Sequence, residues 1–291
     1  SNIEGDNNHI YSELGFYNTQ IGQAELLNRS VLTNEGKQLV GDSLFYDRNK
    51  SFGEAFDNVV FTDTINKNQL TGNYCYYNQL TAYAFATDEA MAVDFSQGDS
   101  LFIHADTLQM YTYHVGTDSL IRQARAYHKV RVYRSDVQGV CDSMVMEERD
   151  SILKMYKHPI IWSGNRQIFG DEVLIHFNDS TVDYAELPSN AFVAEHLGEI
   201  YFNQLSGKKM KALFQDGELR QLDVDGNAMV LMLPMESDST YNKFVTAEGS
   251  FLKMLLKPKQ EIDRISMWPQ PVAKAVPLFK ARKKDMYLNG F

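Results

Sequence analysis

Proline is scarce, with seven in 291 residues, and no stretch approaches the roughly 18 apolar residues that a membrane-spanning helix needs. Helical periodicity is poor throughout. There are two cysteines, Cys75 and Cys141, each in a strand-like run. Two are compatible with any compartment, and the reading favours buried free thiols. Cations are in deficit: 28 Lys and Arg stand against 38 Asp and Glu, for a net charge of −10. Phosphate neutralisation dominates nucleic-acid affinity, so no nucleic-acid partner is expected. Motifs for catalysis are missing as well. There is no Gly-rich phosphate loop, no His-Glu-x-x-His and no Gly-x-Ser-x-Gly. The histidines (His9, His104, His114, His128, His158, His176 and His196) match no metal-ligand spacing. The expectation is therefore no enzyme, no cofactor and no metal. The carboxylate pairs Glu147-Glu148, Asp171-Glu172 and Asp223/Asp225 would serve a glycoside-cleaving site only across a cleft.

What is abundant is aromatic: 16 Tyr and 17 Phe in a chain that is 44% hydrophobic. That mix argues against disorder and suits strands, where aromatic side chains pack on a pleated surface. One short phrase also recurs, a small residue, then usually an acid or amide, then a strand-like run. It reads Gly41-Asp42-Ser43-Leu44, Gly72-Asn73-Tyr74-Cys75, Ala105-Asp106-Thr107-Leu108, Cys141-Asp142-Ser143-Met144 and Gly170-Asp171-Glu172-Val173. Weaker copies start at Gly207 and Ala247. The steps run from 29 to 40 residues, within the range of repeat architectures. A second apolar run follows each phrase after a polar turn, as in Asn58–Phe61, Ala90–Phe95 and Lys129–Tyr133. Asp, Asn, Gly and Ser punctuate the runs, as in Asn178-Asp179-Ser180. One Asp per unit at this spacing reads as turn chemistry rather than a calcium ladder.

The chain divides by composition into a polar lead-in over 1–18, one continuous repeat domain over 19–257, and a Pro- and Lys-containing extension over 258–291. Ala194–Glu199 reads as a short turn or helix, and Lys208–Leu213 as a strand. Glu261–Trp268 looks like one more strand, followed by an extended or coiled end at Pro269, Pro271 and Pro277. The basic run Lys253, Lys257, Lys259, Arg264, Lys274, Lys280, Arg282, Lys283 and Lys284 is either a solvated tail or a docking surface for an anionic partner or lipid headgroup. Ser1-Asn2 resembles a cloning scar, which fits a mature domain whose targeting segment has been removed.

The phrase Ala105-Asp106-Thr107-Leu108, leading to Val130-Arg131-Val132, resembles the repeat of the OstA-like family of lipopolysaccharide-transport proteins. So do Cys141-Asp142-Ser143-Met144 with Ile160-Ile161-Trp162, and Gly170-Asp171 with Ala191-Phe192-Val193. The likeness spans roughly residues 24–256, and the ending Met267–Pro271 and Tyr287–Phe291 looks like the longer Bacteroidetes version. The resemblance implies an all-β, repeat-built open β-jellyroll of stacked antiparallel strands. It implies a periplasmic bridge to the outer membrane whose apolar groove holds the acyl chains of lipopolysaccharide or a lipid A-type lipid. It also implies pairing through edge strands with other jellyroll transport proteins and end-to-end self-association. The family assigns no catalytic residues. The expected Gly before the second strand is replaced here, for example by Asn58 and His128.

Alternation selects the groove-facing positions Val59, Phe61, Met91, Val93, Val130, Val132, Ile160, Trp162, Val173, Ile175, Phe177, Met229 and Leu231. A register error of one residue would turn any of them to the other face. The rival reading is a structural or adhesive β-solenoid with a dry packed core and no lipid cargo.

Overall fold

The computed structural model describes residues 2–5, 8–34, 36–178, 181–258 and 261–291. Lys259 of the basic run and Asp179 and Ser180 of the turn after Asn178 lie outside the described residues. The fold is all-β, with strands joined by turns and two 3-10 turns near the C-terminus. The chain forms two compact units, Ser1–Arg149 and Asp150–Phe291.

The first unit contains β1 (Asn2–Gly5), β2 (Asn8–Tyr11), β3 (Leu14–Asn18), β4 (Gln23–Asn34), β5 (Lys37–Asp47), β6 (Phe52–Asp63), β7 (Asn68–Asn78), β8 (Tyr83–Asp94), β9 (Leu101–Tyr113), β10 (Ile121–Arg134) and β11 (Val137–Glu147). From β4 to β11 each strand pairs antiparallel with the one before it. β3 and β2 share the two halves of β4, and β1 pairs with β2. The residues read as a polar lead-in thus include three strands.

Alternate long strands, β4, β6, β8 and β10, carry an extra residue near the middle that shifts the register. The slips lie between Leu27 and Ser30, Phe56 and Val59, and Thr87 and Ala90. There the backbone takes two left-handed residues in a row: Asn28-Arg29, Asp57-Asn58 and Asp88-Glu89. Asn and Asp enter that region most readily among non-glycine residues. A bulge of this kind bends its strand, and the bends line up into a crease with a wall on either side.

The recurrent phrase marks this crease. Its small residue points inward where the walls converge. A Cβ on Gly72 would sit 3.0 Å from the Thr87 carbonyl oxygen, and one on Gly207 would collide with the Val224 side chain. Ala90 and Ala105, paired on the adjacent strands β8 and β9 at the crease, are fully buried. Ser12-Glu13, between β2 and β3, is a further copy not read from the sequence. Ser12 is buried and accepts a hydrogen bond from the Ser30 hydroxyl. The copy read at Ala247 is displaced by two, since Gly249 pairs with the crease residue Ala228 and leaves room for Met267.

The second unit contains β12 (Ile152–Tyr156), β13 (Ile160–Ser163), β14 (Arg166–Phe169), β15 (Glu172–Asn178), β16 (Thr181–Leu187), β17 (Ala191–Gly198), β18 (Tyr201–Gly207), β19 (Lys209–Gln215), β20 (Glu218–Met232), β21 (Lys243–Leu256), β22 (Ile262–Trp268) and β23 (Val272–Pro277). Here most strands break at the crease. One wall is β12, β15, β16, β19, the first half of β20, the second half of β21, and β22. The other is β13, β14, β17, β18, the remaining halves of β20 and β21, and β23. Ala194–Glu199 lies largely in β17 rather than in a helix, because β14 and β18 satisfy its backbone on both sides. The expected extended or coiled end forms the extended strand β23, which pairs with β21, and then a folded strap.

Candidate functional site

The inner face of the first unit is read from the register. On one wall Leu26, Leu44, Ala55, Cys75, Ala86, Leu108, Ala126 and Met144 stand opposite one another in a single cross-strand row. On the other wall the facing row is Leu32, Leu39, Phe61, Leu70, Ala92, Ile103 and Val132. The walls meet at the crease, where Leu44, Ala55 and Val59 form a buried cluster with Leu26, Leu32, Leu39 and Cys75 packed against it.

Away from the crease this apolar lining is open. Leu32, Leu39, Phe61, Leu70, Ile103 and Val132 are all only partly buried, and Tyr77 on the facing wall is 50% exposed. The second unit is different. Its inner row Met155, Val173, Leu187, Met210, Val224 and Leu252 is 1–2% exposed throughout. On the opposite wall Ile161, Leu205 and Val230 are buried, whereas Ile168 and Val193 of the same row, and Leu153, Ile175 and Ala185 beyond the crease-side row, are only partly buried. Bulky residues fill this crease-side row, whereas alanines, equally buried, occupy the equivalent places at Ala55, Ala86 and Ala126.

Seven of the thirteen sequence-selected positions line these inner faces: Val59, Phe61, Val130 and Val132 in the first unit, and Val173, Ile175 and Phe177 in the second. The other six do not. Met91 pairs with Thr71 and His104, so Met91 and Val93 face away from the row of Phe61 and Ala92. Ile160 and Trp162 stand opposite Phe169 and Gln167, on the outer face. Met229 and Leu231 are outer-face residues as well. Leu231 is buried there beneath Met286 and Leu288 of the C-terminal segment, and Met229 packs against the same cluster. Alternation of bulky residues does not select the inner alanines or Cys75. The pairs Gly53/Ala55, Ala84/Ala86 and Ala124/Ala126 carry the same two-residue period in small residues.

Outside the crease, the polar residue of the phrase joins neighbouring strands. Asp42 accepts hydrogen bonds from Asn58 Nδ2 at 2.7 Å and Arg29 Nη1 at 3.1 Å, which hold its carboxyl below the usual carboxylate range. Asn73 Oδ1 accepts from the Asn58 backbone N–H at 3.3 Å. Asp106 meets Lys129 at 3.1 Å, Asp142 meets His128 at 3.1 Å, and Asp171 accepts from Asn190 Nδ2 at 2.7 Å. Among the described residues these carboxylates do not converge on one point. They satisfy the left-handed bends of the adjacent strands.

The outer face of the first unit carries an aromatic ladder, Phe45, Phe52, Tyr76, Phe85, Tyr83 and Tyr111, capped by Arg125 at 4.5 Å from the Tyr111 ring. Cys75 and Cys141 are not bridged to each other, the Cys141 Sγ–H donates to the Ser143 carbonyl at 3.3 Å, and burial pushes the Cys75 thiol up to about 11. A shallow cavity bounded by His114, Thr117, Ser119, Leu120, Ile121 and Arg149 lies at the turn end of β9 and β10, away from the apolar lining. Among the described residues no helix is long and apolar enough to cross a membrane.

Comparison with known proteins places residues 2–92 within the model of a family described as OstA-like protein, which is under half of the chain. The resemblance carried by the recurrent phrase is thereby found over that stretch. No curated protein matches. Among solved structures the chain is similar to LptH of Pseudomonas aeruginosa, described as the LptA-homologous periplasmic component of the lipopolysaccharide transport device. That match has 16% identity and a TM-score of 0.34, and covers 41% of this chain and 81% of that one.

Proposed function

We propose that this chain is a periplasmic carrier that bridges lipopolysaccharide transport to the outer membrane, with acyl chains lying against the open inner face of the first unit. The observation that carries this reading is the continuous apolar lining that the first unit leaves half-exposed instead of packing shut. Each methylene buried there gains about 0.8 kcal/mol, so even part of a long acyl chain binds well. The OstA-like match falls on residues 2–92, within this unit.

Free strand edges supply the partner surfaces. Among the described residues β22 and β23 pair only with β21, and β3 pairs only with β4. Such edges accept a further strand, from another jellyroll transport protein or from a second copy end to end. The rival reading, a dry solenoid with no cargo, is favoured by one observation, the bulky, buried crease-side row of the second unit.

Site-specific photo-crosslinking in cells tests the proposal. A probe at Val132, on the inner face, is expected to capture lipopolysaccharide, and one at Tyr133, on the opposite face, is not. Blank results at Val132, Phe61 and Ile103 in folded periplasmic protein would reject the carrier role.

A further inference from the structure

The basic C-terminal run is not a solvated tail. After Pro277 the chain makes two 3-10 turns, Leu278–Lys280 and Lys283–Met286, and lies across the outer face of β17, β18, β20 and β21. Met286 and Leu288 are buried there with Phe192, Ala194, Leu231, Leu233 and Phe244. Gln204 is 2% exposed, and its amide is satisfied by the strap backbone. Its Nε2 donates to the Met286 carbonyl at 2.8 Å, and its Oε1 accepts from the Leu288 N–H at 2.8 Å. The Tyr287 hydroxyl donates to the Ile200 carbonyl at 3.2 Å. A buried amide that lost these partners would be costly, so the strap is a fixed part of the unit.

This anchoring decides what the strap presents to solvent. Phe279 is 85% exposed, more than any other large hydrophobic residue of the described chain. The Lys280 ammonium lies 5.6 Å from its ring centroid. Lys274, Lys283 and Lys284 are exposed nearby in the chain. Arg282 is occupied by Asp285 at 2.8 Å, whereas none of these four lysines makes an ion pair among the described residues. An exposed aromatic ring on an anchored strap, with exposed lysines near it in the chain, stands out against a net charge of −10. Water gives that ring no partner. An anionic lipid–water interface suits all of these groups at once, because aromatic rings settle at headgroup depth and lysines reach the phosphates.

We propose that the C-terminal strap is a docking surface for an anionic lipid bilayer, with Phe279 entering the headgroup boundary and Lys274, Lys280, Lys283 and Lys284 facing the lipid phosphates. The surface is separate from the inner groove, and the proposal does not rest on the carrier reading. An acidic protein partner would use the lysines without requiring Phe279 to enter an apolar layer.

The test is vesicle flotation of the full chain. Wild type is expected to float with vesicles of phosphatidylcholine mixed with phosphatidylglycerol, to be released by salt, and to stay behind with phosphatidylcholine alone. The triple variant K280E/K283E/K284E should bind the mixed vesicles at least about tenfold more weakly, since each lysine near the surface contributes strongly to such attraction. Phe279→Ser should also weaken flotation, while Lys67→Glu in the first unit should not. All three changes are at exposed positions, and thermal melting checks that each variant folds. Absence of wild-type flotation, or binding that survives the triple reversal, overturns the proposal. Charge-dependent binding indifferent to Phe279→Ser overturns it in favour of an acidic protein surface. Equal flotation with neutral vesicles would trace binding to the apolar groove and also overturn it.

Discussion

At the scale of single residues, the phrase is a solution to crowding. A small side chain is needed where two walls converge, and Gly207 shows the limit, because a Cβ there has no room beside Val224. Gly207→Val is expected to cost roughly 1–3 kcal/mol, as overpacking of a closed core does. Urea unfolding would show it as a lower midpoint at an unchanged slope. Carboxylates at the strand ends set the acid limit of the first unit. Asp63 is 4% exposed and caps the following turn. It accepts from the backbone N–H of Asn66 at 2.9 Å and of Ile65 at 3.0 Å, and from Asn66 Nδ2 at 2.7 Å. The Asn66 backbone bond is the main cause holding its carboxyl below the ordinary 3.8, against the opposing effect of burial. Asp47 is lowered in the same way, first by Gln23 and then by the Lys50 backbone. A folded pKa below the unfolded one adds stability that is complete above the unfolded value and disappears as pH falls through the folded value. The melting temperature should therefore fall as pH drops below about 4, and less steeply in Asp63→Asn than in wild type. Parallel curves for the two proteins would remove Asp63 from this account.

At the scale of elements, the strands were legible because aromatic and β-branched runs alternate between turn residues, and the crease because its phrase repeats. The faces were legible only in part. In Lys129–Tyr133 the charged Arg131 separates Val130 from Val132, and the alternation assigns both valines to the inner face where they lie. In Ala90–Phe95 every early position is apolar, so alternation cannot choose, and the left-handed pair Asp88-Glu89 resets the register just upstream. Met91 and Val93 fell on the other face for that reason. Leu231 misled differently. It is as buried as any inner residue, but what buries it is a segment more than 50 residues downstream. Apolar alternation reports burial and not which neighbour provides it, so an outer face covered by a strap reads the same as a groove. Gln204 was the available hint, a polar residue within an apolar strand whose amide needs partners.

At the scale of the whole molecule, one repeat supports two kinds of unit, each judged by how its inner face is filled. The second unit buries large side chains in its crease-side row, where the first has alanines, and the first leaves the larger residues of its facing row half in water. That difference predicts opposite consequences for the same type of truncation. Leu205→Ala removes a side chain that is 5% exposed and should cost about 2–5 kcal/mol, with the cavity adding to the lost transfer energy. Phe61→Ala removes a larger side chain that is only partly buried, so less apolar surface returns to water than its size suggests. Its unfolding midpoint should move less than that of Leu205→Ala, while lipopolysaccharide capture by a probe at neighbouring Ile103 should fall. Capture at Ile103 should be unaffected in a Leu205→Ala protein held below its melting temperature. If Phe61→Ala proved the more destabilising change and left capture intact, the first unit would be a closed core like the second. The open face would then have no claim to be a binding surface. The predicted pattern, stability carried by Leu205 and ligand by Phe61, follows from where each side chain sits, because one that is already packed has no apolar surface left to offer a lipid.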